Sequence, residues 1–158
     1  MNVQALIENF RARNNFSDDE IAAIRTDRTL RKELVDHFRT KQDRAFALTL
    51  LNTFIELRKG ENNEISIDDL MLASFLLGMH GQVADSLKVW QAKQVDFDTY
   101  CGIDIQLVPF AGVEETISFL KTQTGDDAKE ALKHVRACSK GGDFDDLKEY
   151  YSETPWWV

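Results

Sequence analysis

Apolar residues recur along this chain at spacings of three and four, which is the signature of amphipathic helices. Val3, Leu6, Ile7 and Phe10 form one face and predict a helix over Asn2 to Ala12, broken at Asn14-Asn15. Ser17-Asp18-Asp19-Glu20 has capping-box spacing, with Phe16 and Ile21 placed as a hydrophobic staple, and opens a short second helix through Ile24 and Arg25. A third helix, capped by Asp27 or Thr29, carries Leu30, Leu34, Val35 and Phe38 on one side. A fourth runs from Asp43 to Lys59, with Phe46, Leu50, Leu51, Phe54 and Leu57 on its apolar face. Gly60 is expected to end it in a left-handed conformation. Glu61-Asn62-Asn63-Glu64 reads as a polar loop.

Ser66 caps the next predicted helix. Its Leu70, Met71, Leu72, Phe75, Leu76 and Leu77 leave almost no polar face, so it is expected to be buried on most sides. After Gly78 and Gly81 a further helix carries Val83, Leu87, Val89 and Trp90. The pattern then restarts. An apolar segment from Ile105 to Ala111 leads to Gly112, followed by a helix with Val113, Ile117, Phe119 and Leu120. A third round holds Ala131, Leu132 and Val135, reaches Gly141-Gly142, and ends in a helix with Phe144, Leu147, Tyr150 and Tyr151. Gly81, Gly112 and Gly142 are 31 and 30 residues apart. That period predicts a stack of helical hairpins, with a glycine at each tight turn.

Residues 69–98 resemble an ankyrin repeat. Leu70, Leu72 and Ala73 match its first-helix pattern, Gly81 its inter-helix glycine, Leu87, Val89 and Trp90 its second helix, and Val95-Asp96-Phe97-Asp98 the run into the next unit. The Thr-Pro-Leu-His opening is missing, and Gln94 stands where a glycine is expected. The resemblance implies an all-α protein of antiparallel helical hairpins stacked as a short ankyrin-like α-solenoid, with an N-terminal helical cap. The expected organisation is one domain over 1–158: N-terminal helices in 1–60, hairpin repeats in 66–152, and a tail in 153–158.

Composition narrows the function more than it identifies it. The chain has 158 residues, 43% hydrophobic and 29% charged, with two prolines and eight glycines, which is globular composition. No apolar run approaches the roughly 20 residues of a membrane span, and the first ten residues lack a signal-peptide pattern. A cytoplasmic location is the expectation. The net charge of −8 is uneven. Residues 1–60 hold 11 Lys+Arg against 9 Asp+Glu, while residues 61–158 hold 8 against 18. An acidic half disfavours phosphate backbones and anionic membranes and suits a basic protein partner.

His37, His80 and His134 are single, with no chelating neighbour at i+3 or i+4, so no metal is expected. Cys101 and Cys138 form no CxxC pair and read as free thiols, although His134 and Cys138 share a helix face. Paired acids such as Asp68-Asp69, Glu114-Glu115, Asp126-Asp127 and Asp145-Asp146 sit near helix starts, where the macrodipole favours them. No catalytic or cofactor-binding motif occurs, and no cofactor is expected.

The segment from Val95 to Asp104 reads as the most informative loop, because Phe97 and Tyr100 lie among Asp96, Asp98 and Asp104. Aromatics anchor interfaces and acids steer basic partners. The expected function is therefore a non-enzymatic protein-interaction module, monomeric or weakly dimeric. Its contact residues are Trp90, Asp96, Phe97, Asp98, Tyr100, Asp104 and Gln106, and its most concrete form is a bacterial immunity- or antitoxin-like protein covering a basic effector. The alternative is a small helical enzyme whose site assembles from His80, Asp104, Gln106 and Glu114 between adjacent hairpins. Trp156 and Trp157 are expected to fold back over the last hairpin and close the stack.

Overall fold

A computed structural model describes residues 1–61 and 64–158. Asn62 and Asn63, the middle of the predicted polar loop, lie outside the described residues. The described residues are all-helical: α1 (Val3–Arg13), α2 (Asp18–Thr26), α3 (Arg28–Thr40), α4 (Arg44–Lys59), α5 (Ile67–Gly78), α6 (Ser86–Lys93), α7 (Phe97–Gly102), α8 (Val113–Thr122), α9 (Asp126–Gly141) and α10 (Leu147–Ser152). Single 3-10 turns at Val83–Asp85 and Ile105–Leu107 complete the set.

The helix starts follow from side-chain oxygens that satisfy orphan backbone donors. Ser17 and Glu20 form the expected capping box on α2, and Ser66 pairs with Asp69 in a second one on α5. Asp27, not Thr29, caps α3, accepting from the N–H groups of Thr29 and Leu30. Asp43 caps α4. Gly60 ends α4 in an extended conformation, φ −67°, and not in the left-handed one expected from its type. The Val95–Asp104 loop is largely helical, since α7 occupies its middle. Of the apolar face expected on α4, Leu57 is 45% exposed, while Ala47 and Ile55 turn inward.

Burial organises the molecule around α5. From Asp69 to Gly78 every residue of this helix is buried, as its lack of a polar face requires. Its most extensive packing is against α4. On the N-terminal side, Phe10, Phe16, Phe38 and Phe46 interlock with ring centroids 4.9–5.3 Å apart. On the C-terminal side, Phe75 meets Phe110, Tyr150, Tyr151 and Trp157. One hydrophobic cluster runs from Val3 to Val158, so residues 1–60 share a continuous core with the rest.

Gly81, Gly112 and Gly142 all take positive φ, at 62°, 119° and 84°. Gly81 follows α5, Gly112 caps the start of α8 and Gly142 caps the end of α9. The helix pairs, however, are out of phase with them. The two most extensive contacts between consecutive helices are α4 with α5 and α8 with α9. The α8–α9 turn uses Gly125, φ 101°, which lies outside the thirty-residue series. The apolar Ile105–Ala111 segment forms a 3-10 turn and tight turns, not a full first helix, because Pro109 removes a donor needed there.

Trp157 and Val158 are buried, and Trp157 touches α5 through Phe75, α3 through Arg31 and α10 through its side-chain hydrogen bond with Tyr150. Trp156 is 80% exposed. The tail is held by arginines from α3. Arg39 donates to the carbonyls of Tyr151 and Glu153 at 3.0 and 2.7 Å. Arg31, buried, donates to Asp69 Oδ1 at 2.6 Å, to the Asp68 carbonyl at 3.0 Å and to the Trp157 carbonyl at 3.3 Å.

Candidate partner-binding face

The face begins with α7, a helix of six residues that would not persist alone. It is clamped at both ends. At its start, Asp96 Oδ1 accepts from the Thr99 N–H at 2.8 Å, and the Asp96 N–H donates to Thr99 Oγ1 at 2.9 Å. Arg58 of α4 donates from Nε to Asp96 Oδ2 at 2.7 Å and from Nη1 to the Ile65 carbonyl at 2.6 Å. The Arg58 guanidinium is the largest influence on the Asp96 carboxyl and, with the Thr99 bonds, outweighs its partial burial. Its pKa lies below the usual carboxylate range.

At its end, the buried Lys93 of α6 donates from Nζ to the carbonyls of Tyr100 and, at 2.7 Å, Ile103. Lys93 thus satisfies acceptors that the last turn of α7 cannot satisfy internally. Burial pushes its ammonium pKa down, while the nearby Cys101, Asp104 and Cys138 act the other way. Gly102 completes the clamp, because an added Cβ would stand 2.5 Å from Ile67 Cδ1.

What α7 presents outward is Phe97, Asp98, Tyr100 and Cys101. Phe97 is 78% exposed. Tyr100 is half-covered by His134 of α9: the rings lie 5.8 Å apart, and the Tyr100 hydroxyl is 3.4 Å from His134 Nδ1. Burial, then the Lys93 charge, lowers the His134 pKa below its ordinary value, so the ring is neutral at neutral pH. Beside α7 an open cleft of about 570 Å³ is lined by Arg58, Ser66, Ile67, Asp68, Asp98, Cys101 and Gly102. Its one cation, Arg58, is already committed to Asp96, which leaves Asp68 and Asp98 facing the opening.

The residues expected to make contacts divide into three groups. Phe97, Asp98 and Tyr100 share the outer side of α7. Asp96, Asp104 and Gln106 are half-buried and engaged elsewhere. Asp96 holds Arg58, Asp104 accepts from the Tyr150 hydroxyl at 2.9 Å, and Gln106 donates to the Asp143 carbonyl at 3.1 Å. Burial, reinforced by Asp104, raises the Tyr150 pKa well above its usual value, so the hydroxyl stays a donor. Trp90 is a correction. It is 1% exposed, with its ring tilted at 50° to that of His134 and 5.4 Å from it, so no partner can reach it.

The set required by the enzyme alternative is scattered. His80 rests on Phe38 and holds the Leu77 carbonyl, while Glu114 is exposed in the first turn of α8. Among the described residues, no hydrogen bond joins any two of His80, Asp104, Gln106 and Glu114, and no group of three or more His, Cys, Asp or Glu side chains could hold a metal ion.

Sequence reasoning missed Arg58, Lys93 and Thr99, and weighed His134 only beside Cys138. A signal for the first helical turn was present in Asp96-Phe97-Asp98-Thr99, whose cap spacing predicts a helix start. Comparison with protein-family models, with curated proteins and with solved structures finds no match.

Proposed function

We propose that this chain is a non-enzymatic protein-interaction module that docks a basic partner on the outer face of α7. The observation that carries the reading is Phe97, a large apolar side chain left 78% exposed on a helix fixed at both ends. Folding gains nothing from an exposed phenylalanine. A rigidly mounted aromatic is, however, an efficient interface anchor, because little side-chain entropy remains to be lost on binding. The adjoining cleft, with Asp68 and Asp98 uncompensated, suits a lysine or arginine that enters beside the anchored ring. Residues 61–158 carry the acidic excess that would steer such a partner. Under this reading residues 66–152 act as an ankyrin-like hairpin stack displaying its inter-helix segments. The positive-φ glycines support that, while the helix pairing described above makes the units irregular. An immunity- or antitoxin-like role is the most concrete form of the proposal.

The test is photo-crosslinking from a reactive phenylalanine analogue at position 97 in native lysate. A discrete adduct should form. Untagged wild type should compete it away, and untagged Phe97→Ala/Asp98→Lys should not. Equal competition by both proteins, or no discrete adduct, overturns the assignment. The Phe97→Ala melting temperature should match wild type, because exposed substitutions change stability by only about 0.5 kcal/mol.

A further inference from the structure

Two surfaces far from α7 are opposite in charge. A cleft of about 730 Å³ lies between α2 and the end of α4 and is lined by Asp18, Asp19, Glu56, Glu61 and Glu64 against a single Arg25. Ile21, Ala22 and Leu57 give it an apolar floor, and Leu57 is the α4 residue that the core leaves out. Arg25 bonds Glu64 at 3.2 Å and Lys59 pairs with Glu56 at 3.0 Å; Asp18, Asp19 and Glu61 have no ion pair among the described residues.

The second surface is the solvent side of α9. Lys129, Lys133, Arg136 and Lys140 are all exposed. Their spacings of four, three and four place them within roughly 60° of arc at 3.6 residues per turn. Leu132 and Ala137 line the same hollow between them, about 410 Å³. Lys129 has a loose partner in Asp126 at 3.7 Å, and the other three cations have no ion pair among the described residues. In a chain of net charge −8 this is a concentrated basic stripe. No residue of α9 lines the acidic cleft, so the two do not satisfy one another within one chain.

We infer that the occupant of the α2–α4 cleft is the α9 stripe of a second copy. Each surface combines what the other lacks: carboxylates around an apolar floor, and cations around Leu132. A cleft of this size takes several side chains, not a whole helix, so the stripe lies across its mouth with lysine and arginine stems over Leu57. The contact is head-to-tail. Because the two patches differ, it leaves one free cleft and one free stripe on every pair and extends to chains, not to a closed dimer. Net repulsion between acidic copies keeps it weak and strongly salt-dependent.

Sedimentation velocity on the full chain tests this. At about 0.01 M salt, wild type should form a concentration-dependent series of species that collapses to monomer near 1 M salt, where the Debye length falls to about 3 Å. Lys133→Glu/Arg136→Glu, and separately Glu56→Lys/Glu61→Lys, should each be monomeric alone. All four sites are exposed, and unchanged circular dichroism and melting temperature confirm folding. Mixed one to one, the two variants should give a dimer and nothing larger, because one intact cleft meets one intact stripe. Three results would overturn the inference: a monomeric wild type at about 1 mM protein, near the weakest affinity that matters, a mixture that stays monomeric, or association that survives either charge reversal. Binding of a Lys-rich peptide to the cleft in a wild type that does not self-associate also overturns it, and assigns the cleft to a foreign helix.

Discussion

Arg31 and Asp69 meet at 2.6 Å with both side chains buried. Asp69 also closes the cap of α5 by accepting from the Ser66 N–H at 2.9 Å. Removing the guanidinium leaves the buried carboxylate with only Arg25 Nε, at 3.6 Å, as a counter-charge, and breaking a buried pair costs at most about 3–5 kcal/mol. Arg31→Met should therefore lower the urea midpoint sharply. Arg31→Met with Asp69→Asn should recover part of the loss, because asparagine keeps the cap without a buried charge. A double variant less stable than the single would refute that account. Asp96 makes a different prediction, in pH. Its pKa is depressed in the folded protein, chiefly by Arg58. The stability it contributes is therefore present above the unfolded carboxylate value, about 3.9, and is lost as pH falls through the lower folded value. Asp96→Asn keeps the Thr99 cap and removes only the charge. The stability gap between wild type and variant should be constant near neutrality and close in strong acid. A gap independent of pH would assign the effect to packing.

Among the elements, α5 tests close approach. A Cβ on Gly78 would stand 1.9 Å from the ring of Phe110, and that ring stacks on Tyr151 at 3.6 Å. Gly78→Ala must push Phe110 off Tyr151, at an overpacking cost of about 1–3 kcal/mol, read as a lower melting temperature. Lys93→Met should act on α7 alone. It leaves the Tyr100 and Ile103 carbonyls without their donor, about 1–3 kcal/mol for a buried acceptor, and should speed hydrogen exchange over 97–103 while sparing α4 and α5. At this scale much of the fold was legible. The caps at Ser17, Asp43 and Ser66 and the apolar run from Leu70 to Leu77 mark their helices through local bonds and periodicity. Gly78 was readable only as a helix end, because its reason is a ring 32 residues away. The α7 face was half legible. Phe97 and Asp98 stand out by type, but Trp90 looks equally apt until burial is known. Arg58 and Lys93 act through partners that periodicity cannot locate. The helix pairing was not legible for a similar reason: a positive-φ glycine marks a turn without specifying which helices pack across it.

For the whole molecule, the decisive contrast lies in the two tail tryptophans. Trp157 is buried against Phe75, and its carbonyl accepts from Arg31. Trp156 is 80% exposed. Trp157→Ala should cost about 3–5 kcal/mol, and each kcal/mol lowers the melting temperature by about 2–4 °C for a chain of this size. Trp156→Ala should change it by only about 0.5 kcal/mol in either direction. Equal effects would mean that the tail does not dock as described. The Arg31 cluster also sets an order of events. It joins α3 to Asp68 and Asp69, 37 and 38 residues away, and to Trp157, 126 residues away. Closing a loop that long is entropically expensive before other contacts exist, so the arginine reaches its last acceptor after the rate-limiting barrier has been crossed. The cluster then works as a latch and not as a nucleus: Arg31→Met should accelerate unfolding in a chevron experiment while leaving the refolding limb almost unmoved.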